Sequence, residues 1–146
     1  MRPRPLVLIV EDEPDILLIL RINLEAAGFD TALAADGLTA IRRIDAERPD
    51  VVLLDMMLPV MDGWTVMADL RGRPDPPPVV VCSAKRGGRD VARASELGAS
   101  AYVTKPFDTD DVIETIRRTL AQQEGAADPA PEPFRGELGI EGVEPA

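Results

Sequence analysis

Five residues of this chain could do chemistry together if folding brought them to one place: Glu11, Asp12, Asp55, Ser83 and Lys105. Each stands at or just past the end of a short apolar run. Three carboxylates held close cannot all ionise cheaply without a cation. A hard oxygen site with few protein carboxylates suits Mg²⁺, which keeps waters and takes a phosphoryl oxygen as a further ligand. Aspartate is an established covalent acceptor of phosphoryl groups. A hydroxyl and an ammonium beside it would stabilise charge on the equatorial phosphoryl oxygens. Taken singly, each residue also has a plainer reading. Asp55 could be a solvated carboxylate that stops a strand, and Glu11-Asp12-Glu13 could be charges at a helix start. Ser83 could be a turn hydroxyl and Lys105 a solvated loop lysine.

Other chemistries are closed off by composition. The 146-residue chain contains no histidine, which removes Ser–His and Cys–His nucleophilic catalysis and the usual His-containing zinc sites. The single Cys82 lies in the apolar run Val79-Val80-Val81-Cys82. An internal disulfide is impossible, and a reducing, cytoplasmic compartment is expected. No apolar run approaches the ~20 residues of a membrane span, and the N-terminus has no signal-peptide core. The net charge of -10 is opposite to the electrostatic footprint of a nucleic-acid or anionic-membrane binder.

The elements that must position the five residues follow from the order of the chain. Leu6 to Val10 is a compact apolar run and reads as a first strand. Pro14 suits the first turn of a helix, where its missing N–H costs nothing, and Gly28 ends that helix near Ala27. Helical spacing puts Ile16, Ile19, Leu20, Leu24 and Ala27 on its core face. Thr31 to Ala34 is a second strand. Asp36-Gly37 opens a helix with Ala40, Ile41 and Ile44 inward and Arg42, Arg43 and Glu47 outward. Val51 to Leu54, bounded by Pro49-Asp50, reads as a strand buried on both faces. A helix over Trp64 to Leu70 follows, then a strand over Val79 to Cys82. An Ala-rich helix over about Asp90 to Leu97, a strand over Ala101 to Val103 and a helix over about Thr109 to Gln123 complete the series.

Strand and helix alternate five times. This specifies an α/β fold: a doubly wound, five-stranded parallel sheet with right-handed crossovers and five helices. The commonest order for five such units is 2-1-3-4-5. That order makes strands one and three neighbours at the switch point, where ligands bind outside the carboxyl ends of the strands. From residue 124 the composition changes. Residues 124–146 are rich in Ala, Gly, Pro and acids, with Arg135 as the sole base, and read as a disordered acidic tail or linker after a domain at 1–123. Phe134, Leu138 and Ile140 are its apolar handles.

Four motifs carry a family resemblance: Val10-Glu11-Asp12-Glu13, Leu54-Asp55-Met56-Met57-Leu58-Pro59 with Asp62-Gly63, Cys82-Ser83-Ala84, and Tyr102-Val103-Thr104-Lys105-Pro106-Phe107. They stand at the ends of strands one, three, four and five. Over about Leu6 to Gln122 the chain resembles the receiver domain of two-component response regulators, of single-domain type, with its flavodoxin-like fold. The resemblance implies that Asp55 accepts a phosphoryl group from a phosphohistidine. It implies Mg²⁺ on Glu11, Asp12, Asp55 and the backbone carbonyl of Met57. Ser83 would bond the phosphoryl oxygen, Lys105 would pair with it, and Tyr102 would swing inward as Ser83 moves. The Lys105–Pro106 bond would be cis. Two departures are a glutamate as the first acid of the pair and a serine where threonine is more frequent.

The function expected is a phosphorylation-activated switch that signals by protein–protein contact. It would catalyse its own phosphorylation and dephosphorylation and turn over no external substrate. The partners implied are a sensor histidine kinase or histidine phosphotransfer protein and a downstream protein target, with the switch a monomer or a phosphorylation-dependent dimer. Two alternatives stand beside it. One is the receiver part of a truncated DNA-binding transcriptional regulator, against which the charge and the lack of room for an output domain weigh. The other is a Mg²⁺-dependent aspartyl-phosphate phosphatase, which typically carries a second Asp where this chain has Met57. With the core face of the first helix assigned, Leu18 and Ile22 remain as a paired apolar stripe on its outer side. In receiver domains this helix docks the histidine-bearing helices of the phosphodonor, so Leu18 and Ile22 are the expected docking pair.

Overall fold

The computed structural model describes residues 2–84 and 88–124. The elements run β1 (Leu6–Val10), α1 (Pro14–Ala26), β2 (Asp30–Ala34), α2 (Gly37–Glu47), β3 (Val51–Asp55), α3 (Gly63–Arg71), β4 (Val79–Ser83), α4 (Gly88–Glu96), β5 (Ala101–Thr104) and α5 (Thr109–Glu124). All strand pairs are parallel and the sheet order is β2-β1-β3-β4-β5. The acidic tail expected from residue 124 lies, from 125 onward, outside the described residues.

Strand side chains alternate between faces, so a fully apolar strand feeds two cores. Leu6, Leu8, Val10, Val52, Leu54, Val79, Val81 and Tyr102 face one layer, with α2, α3 and α4. Val7, Ile9, Val51, Leu53, Val80, Cys82, Ala101 and Val103 face the other, with α1 and α5. Each large aliphatic buried this way contributes roughly 1.5–3 kcal/mol, which makes the three central strands the rigid platform of the domain.

The helices start where their first residues dictate. Asp36 and Asp62 cap α2 and α3, accepting from the backbone N–H of Thr39 at 2.7 Å and of Thr65 at 2.9 Å. Pro14 opens α1 without a side-chain cap. The N-terminal arm is fastened below β1. Arg2 donates to the carbonyls of Glu47 and Arg48, and Arg4 to those of Glu25 and Phe29.

One expected core position is corrected. Ile19 is 50 % exposed, while Leu20 and Leu24 are buried and Ile16 and Leu17 half-buried against the α1/α5 core. The run Ile16 to Leu20 is apolar at every position, so helical spacing alone does not fix which stripe faces inward. Packing on the sheet selects Leu17, not Ile19.

Candidate functional site

The sheet sets the site. Val10 of β1 pairs with Leu54 of β3, so Glu11 and Asp55 stand level at the top of neighbouring strands. Asp55 pairs with Cys82, and Ser83 with Thr104, which bring Ser83 and Lys105 to the same rim. The Lys105 N–H donates to the Ser83 carbonyl at 2.8 Å and fixes the turn out of β5. The Lys105–Pro106 bond is cis.

Carboxylate oxygens of Glu11, Asp12 and Asp55 lie within 4.8 Å of one another. Glu11 and Asp55 are buried, whereas Asp12 faces solvent. The Lys105 ammonium lies 2.8 Å from Oε1 of Glu11 and 3.4 Å from Oδ2 of Asp55, bridging the two buried acids. Burial raises the Glu11 carboxyl above its ordinary range; the Lys105 hydrogen bond opposes this and the Asp55 charge adds to it. Burial pulls the Lys105 ammonium down, but Glu11 and Asp55 together outweigh it and hold the lysine above its usual value. The cluster therefore holds its cation firmly while Glu11 pays a desolvation cost, the usual balance of a buried acid pair with one lysine.

Backbone donors complete the geometry. The N–H of Met57 donates to Oδ1 of Asp55 at 3.2 Å, and that of Glu13 to Oε2 of Glu11 at 3.2 Å. The Met57 side chain is exposed. Gly63 lies against this loop so closely that a Cβ there would stand 2.5 Å from Met56 Sδ, 2.6 Å from Met56 Cα and 2.9 Å from the Asp55 carbonyl oxygen.

Ser83 is buried on β4 and hydrogen-bonded to Tyr102 of β5, which is fully buried. Burial raises the Tyr102 phenol, and the Ser83 contact partly offsets this. Cys82, beside Asp55 on the neighbouring strand, is buried as well, and burial pushes its thiol up to about 12. Leu18 and Ile22 are 54 % and 57 % exposed on the outer side of α1, with Ile19 beside them. They are not part of the crevice. The strand order brings Lys105 and Glu11 to one crevice, but spacing does not show that the two, 94 positions apart, pair with each other. Nor does it reveal the Arg93 guanidinium over the Trp64 ring, at 4.2 Å from its centre, which links α4 to α3.

An acidic pocket with its own lysine, at the carboxyl ends of parallel strands, can hold a small hard cation and present one carboxylate to a phosphoryl group. Comparison with known proteins points the same way. Residues 7–117 match the response regulator receiver domain family. The chain is 42 % identical over 123 residues to the transcriptional regulatory protein KdpE of Mycobacterium tuberculosis, covering 84 % of this chain and 54 % of that protein. It is 38 % identical over 121 residues to the alkaline phosphatase synthesis transcriptional regulatory protein PhoP of Bacillus subtilis, covering 83 % and 50 %. The chain thus spans about half the length of these curated relatives. Among solved structures, the receiver domain of the Francisella response regulator 1452 superposes with a TM-score of 0.79 at 29 % identity, covering 82 % of this chain and 99 % of that one. The receiver domain of a signal transduction histidine kinase from Syntrophus aciditrophicus gives a TM-score of 0.74 at 34 % identity, covering 80 % and 90 %.

Proposed function

Since the chain belongs to the response regulator receiver domain family, we propose that it is a phosphorylation-activated switch whose acceptor is Asp55. The observation that carries this reading is the placement of Lys105 between Glu11 and Asp55, in a three-carboxylate cluster at the strand ends. A carboxylate oxygen of Asp55 attacks the phosphorus of a phosphohistidine on a partner. The P–N bond breaks, and the imidazole leaves with a proton taken up from water. Lys105 and the Ser83 hydroxyl donate hydrogen bonds to the phosphoryl oxygens as charge builds on them.

The donor set fits a hard divalent cation, since the oxygens of Glu11, Asp12 and Asp55 cluster within 4.8 Å. Glu11, Asp12 and Asp55 with the Met57 carbonyl would hold Mg²⁺, which supplies charge neutralisation for the acids and the phosphoryl group. The exposed pair Leu18 and Ile22, with its neighbour Ile19, forms the apolar centre of the contact with the phosphodonor. Transfer to Asp55 and hydrolysis of the aspartyl phosphate by water, which releases inorganic phosphate and restores the carboxylate, are the only chemistry; output is by protein–protein contact.

The test is incubation with Mg²⁺ and acetyl phosphate followed by intact mass. One phosphoryl group is expected on the protein and none on Asp55→Asn. Labelling that survives in the variant, or maps to Ser83, would remove Asp55 from the role. A second reading, that the domain serves a DNA-binding transcriptional regulator, draws support from longer relatives named as transcriptional regulators, of which the matched region is 54 % and 50 %. An immunoblot of source cells separates the two. A native band near 15.8 kDa supports the stand-alone switch, and a clearly heavier band supports the regulator.

A further inference from the structure

Helix α4 is held to the fold by unusual means. Ala94 is its one buried residue among those described, and Val91 and the following Leu97 are only half-buried. Burying an alanine contributes about as much as one methyl group, so apolar packing alone secures α4 weakly. Two arginines add to it, both across the seam with α3. Arg93 of α4 sets its guanidinium 4.2 Å from the centre of the Trp64 ring, at the start of α3. Arg71, the last residue of α3, donates through Nη1 to the carbonyl of Glu96, the last residue of α4. Carbonyls at a helix end have no partner within the helix, so this contact both caps α4 and ties it down.

Tyr102 lies beneath. It is fully buried in the same cluster as Ala94 and Val91, and the charge of Asp90 from α4 bears on its hydroxyl. That hydroxyl also meets Ser83 of the neighbouring strand β4. Displacing α4 would remove Ala94 and Val91 from the cluster that buries Tyr102.

We infer that Arg93 and Arg71 form a clip that holds α4 over Tyr102 and so keeps the Tyr102 hydroxyl on Ser83. Both are positioning residues, acting on the site through Tyr102. The inference rests on the reading of Ser83 as the hydroxyl that faces the phosphoryl group. The clip is electrostatic at the surface and adjustable by what touches Arg93 or Trp64, which makes the α3–α4 seam a control point remote from Asp55.

The chain has one tyrosine and one tryptophan, so 3-fluorotyrosine and 5-fluorotryptophan each report a single position by fluorine NMR in the full chain. In the parent protein the fluorotyrosine signal is expected to be shielded from solvent. Arg93→Ala should increase the solvent-accessible tyrosine population about fivefold, which corresponds to loss of a ~1 kcal/mol cation–π contact. Arg71→Ala should act in the same direction, and Arg93→Lys should keep most of the shielded signal because an ammonium still sits on the ring. Arg93 is exposed, so melting monitored by circular dichroism should move only a few degrees. The inference is overturned if Arg93→Ala shifts the fluorotryptophan signal while leaving fluorotyrosine unchanged. It is equally overturned if Arg93→Lys behaves like Arg93→Ala. Acetyl phosphate labelling of the parent protein is scored separately: its absence would count against the function proposed for Asp55 and Ser83, not against the clip.

Discussion

The Lys105 ammonium sits 2.8 Å from the Glu11 carboxylate and joins the end of β5 to the end of β1. It also reaches Asp55 at 3.4 Å, so one cation serves two buried acids. Removing it leaves both buried acids without a counter-charge, and breaking a buried ion pair costs roughly 3–5 kcal/mol. Lys105→Met should therefore melt well below the parent at pH 7.5. Burial already raises Glu11, and loss of the lysine raises it further. A carboxyl with a raised folded pKa contributes stability at low pH and loses it as pH rises through that value. The gap between variant and parent should then be small near pH 5 and grow toward pH 7.5, in EDTA, by calorimetry. A gap that shrinks as pH rises would mean the lysine does not neutralise these acids.

Asp12 is the exposed member of the acid cluster, so it can be removed without opening the core. Trp64 begins one residue after Gly63, against the loop that carries Met57. Titrating Mg²⁺ should change the tryptophan emission, and Asp12→Ala should weaken the apparent affinity about tenfold or more. The same titration curve in both proteins would place the cation elsewhere.

The outer face of α1 offers Leu18, Ile19 and Ile22 to solvent. A Leu18→Ser, Ile22→Ser double variant should keep the parent's labelling by acetyl phosphate and lose about tenfold or more of the rate from a phosphorylated histidine partner. Equal losses with both donors would point to a folding defect, and equal retention would clear this face of any part in the contact.

Gly63 presses on the backbone of Asp55 and Met56. A methyl group there must push main chain aside, and overpacking of this kind costs about 1–3 kcal/mol. Gly63→Ala should therefore lower both stability and the acetyl phosphate labelling rate. Gly72→Ala is the matched control, since the nearest atom to its Cβ is 3.7 Å away and its φ of -81° suits alanine. It should melt at or slightly above the parent temperature. If both variants behave alike, the contact at Gly63 is not what shapes the loop.

Cys82 is buried beside Asp55, and burial pushes its thiol up to about 12. The thiolate is the reactive form. At pH 8 the folded protein should react with a thiol reagent orders of magnitude more slowly than the protein in urea. A rate in buffer equal to that in denaturant would show that β4 opens freely.

The fold was legible because its strands are apolar throughout and its helices are punctuated by Pro14, Gly28, Asp36 and Gly98. The residues that meet at the crevice were legible because parallel strands must end together. Ile19 was not, since five consecutive apolar residues at the start of α1 satisfy several helical faces at once. The bridge from Lys105 to Glu11 and the stack of Arg93 on Trp64 left no local trace. Both depend on how far side chains reach between elements that chain spacing does not relate.

The strand order β2-β1-β3-β4-β5 also sets a timetable. A ribosome delivers Glu11, Asp12 and Asp55 early, while Lys105 arrives only with the outermost strand. An emerging chain that has assembled β1 to β3 has brought Glu11 and Asp55 together without the lysine that bridges them. Docking of β5 completes the sheet and the charge balance in one event.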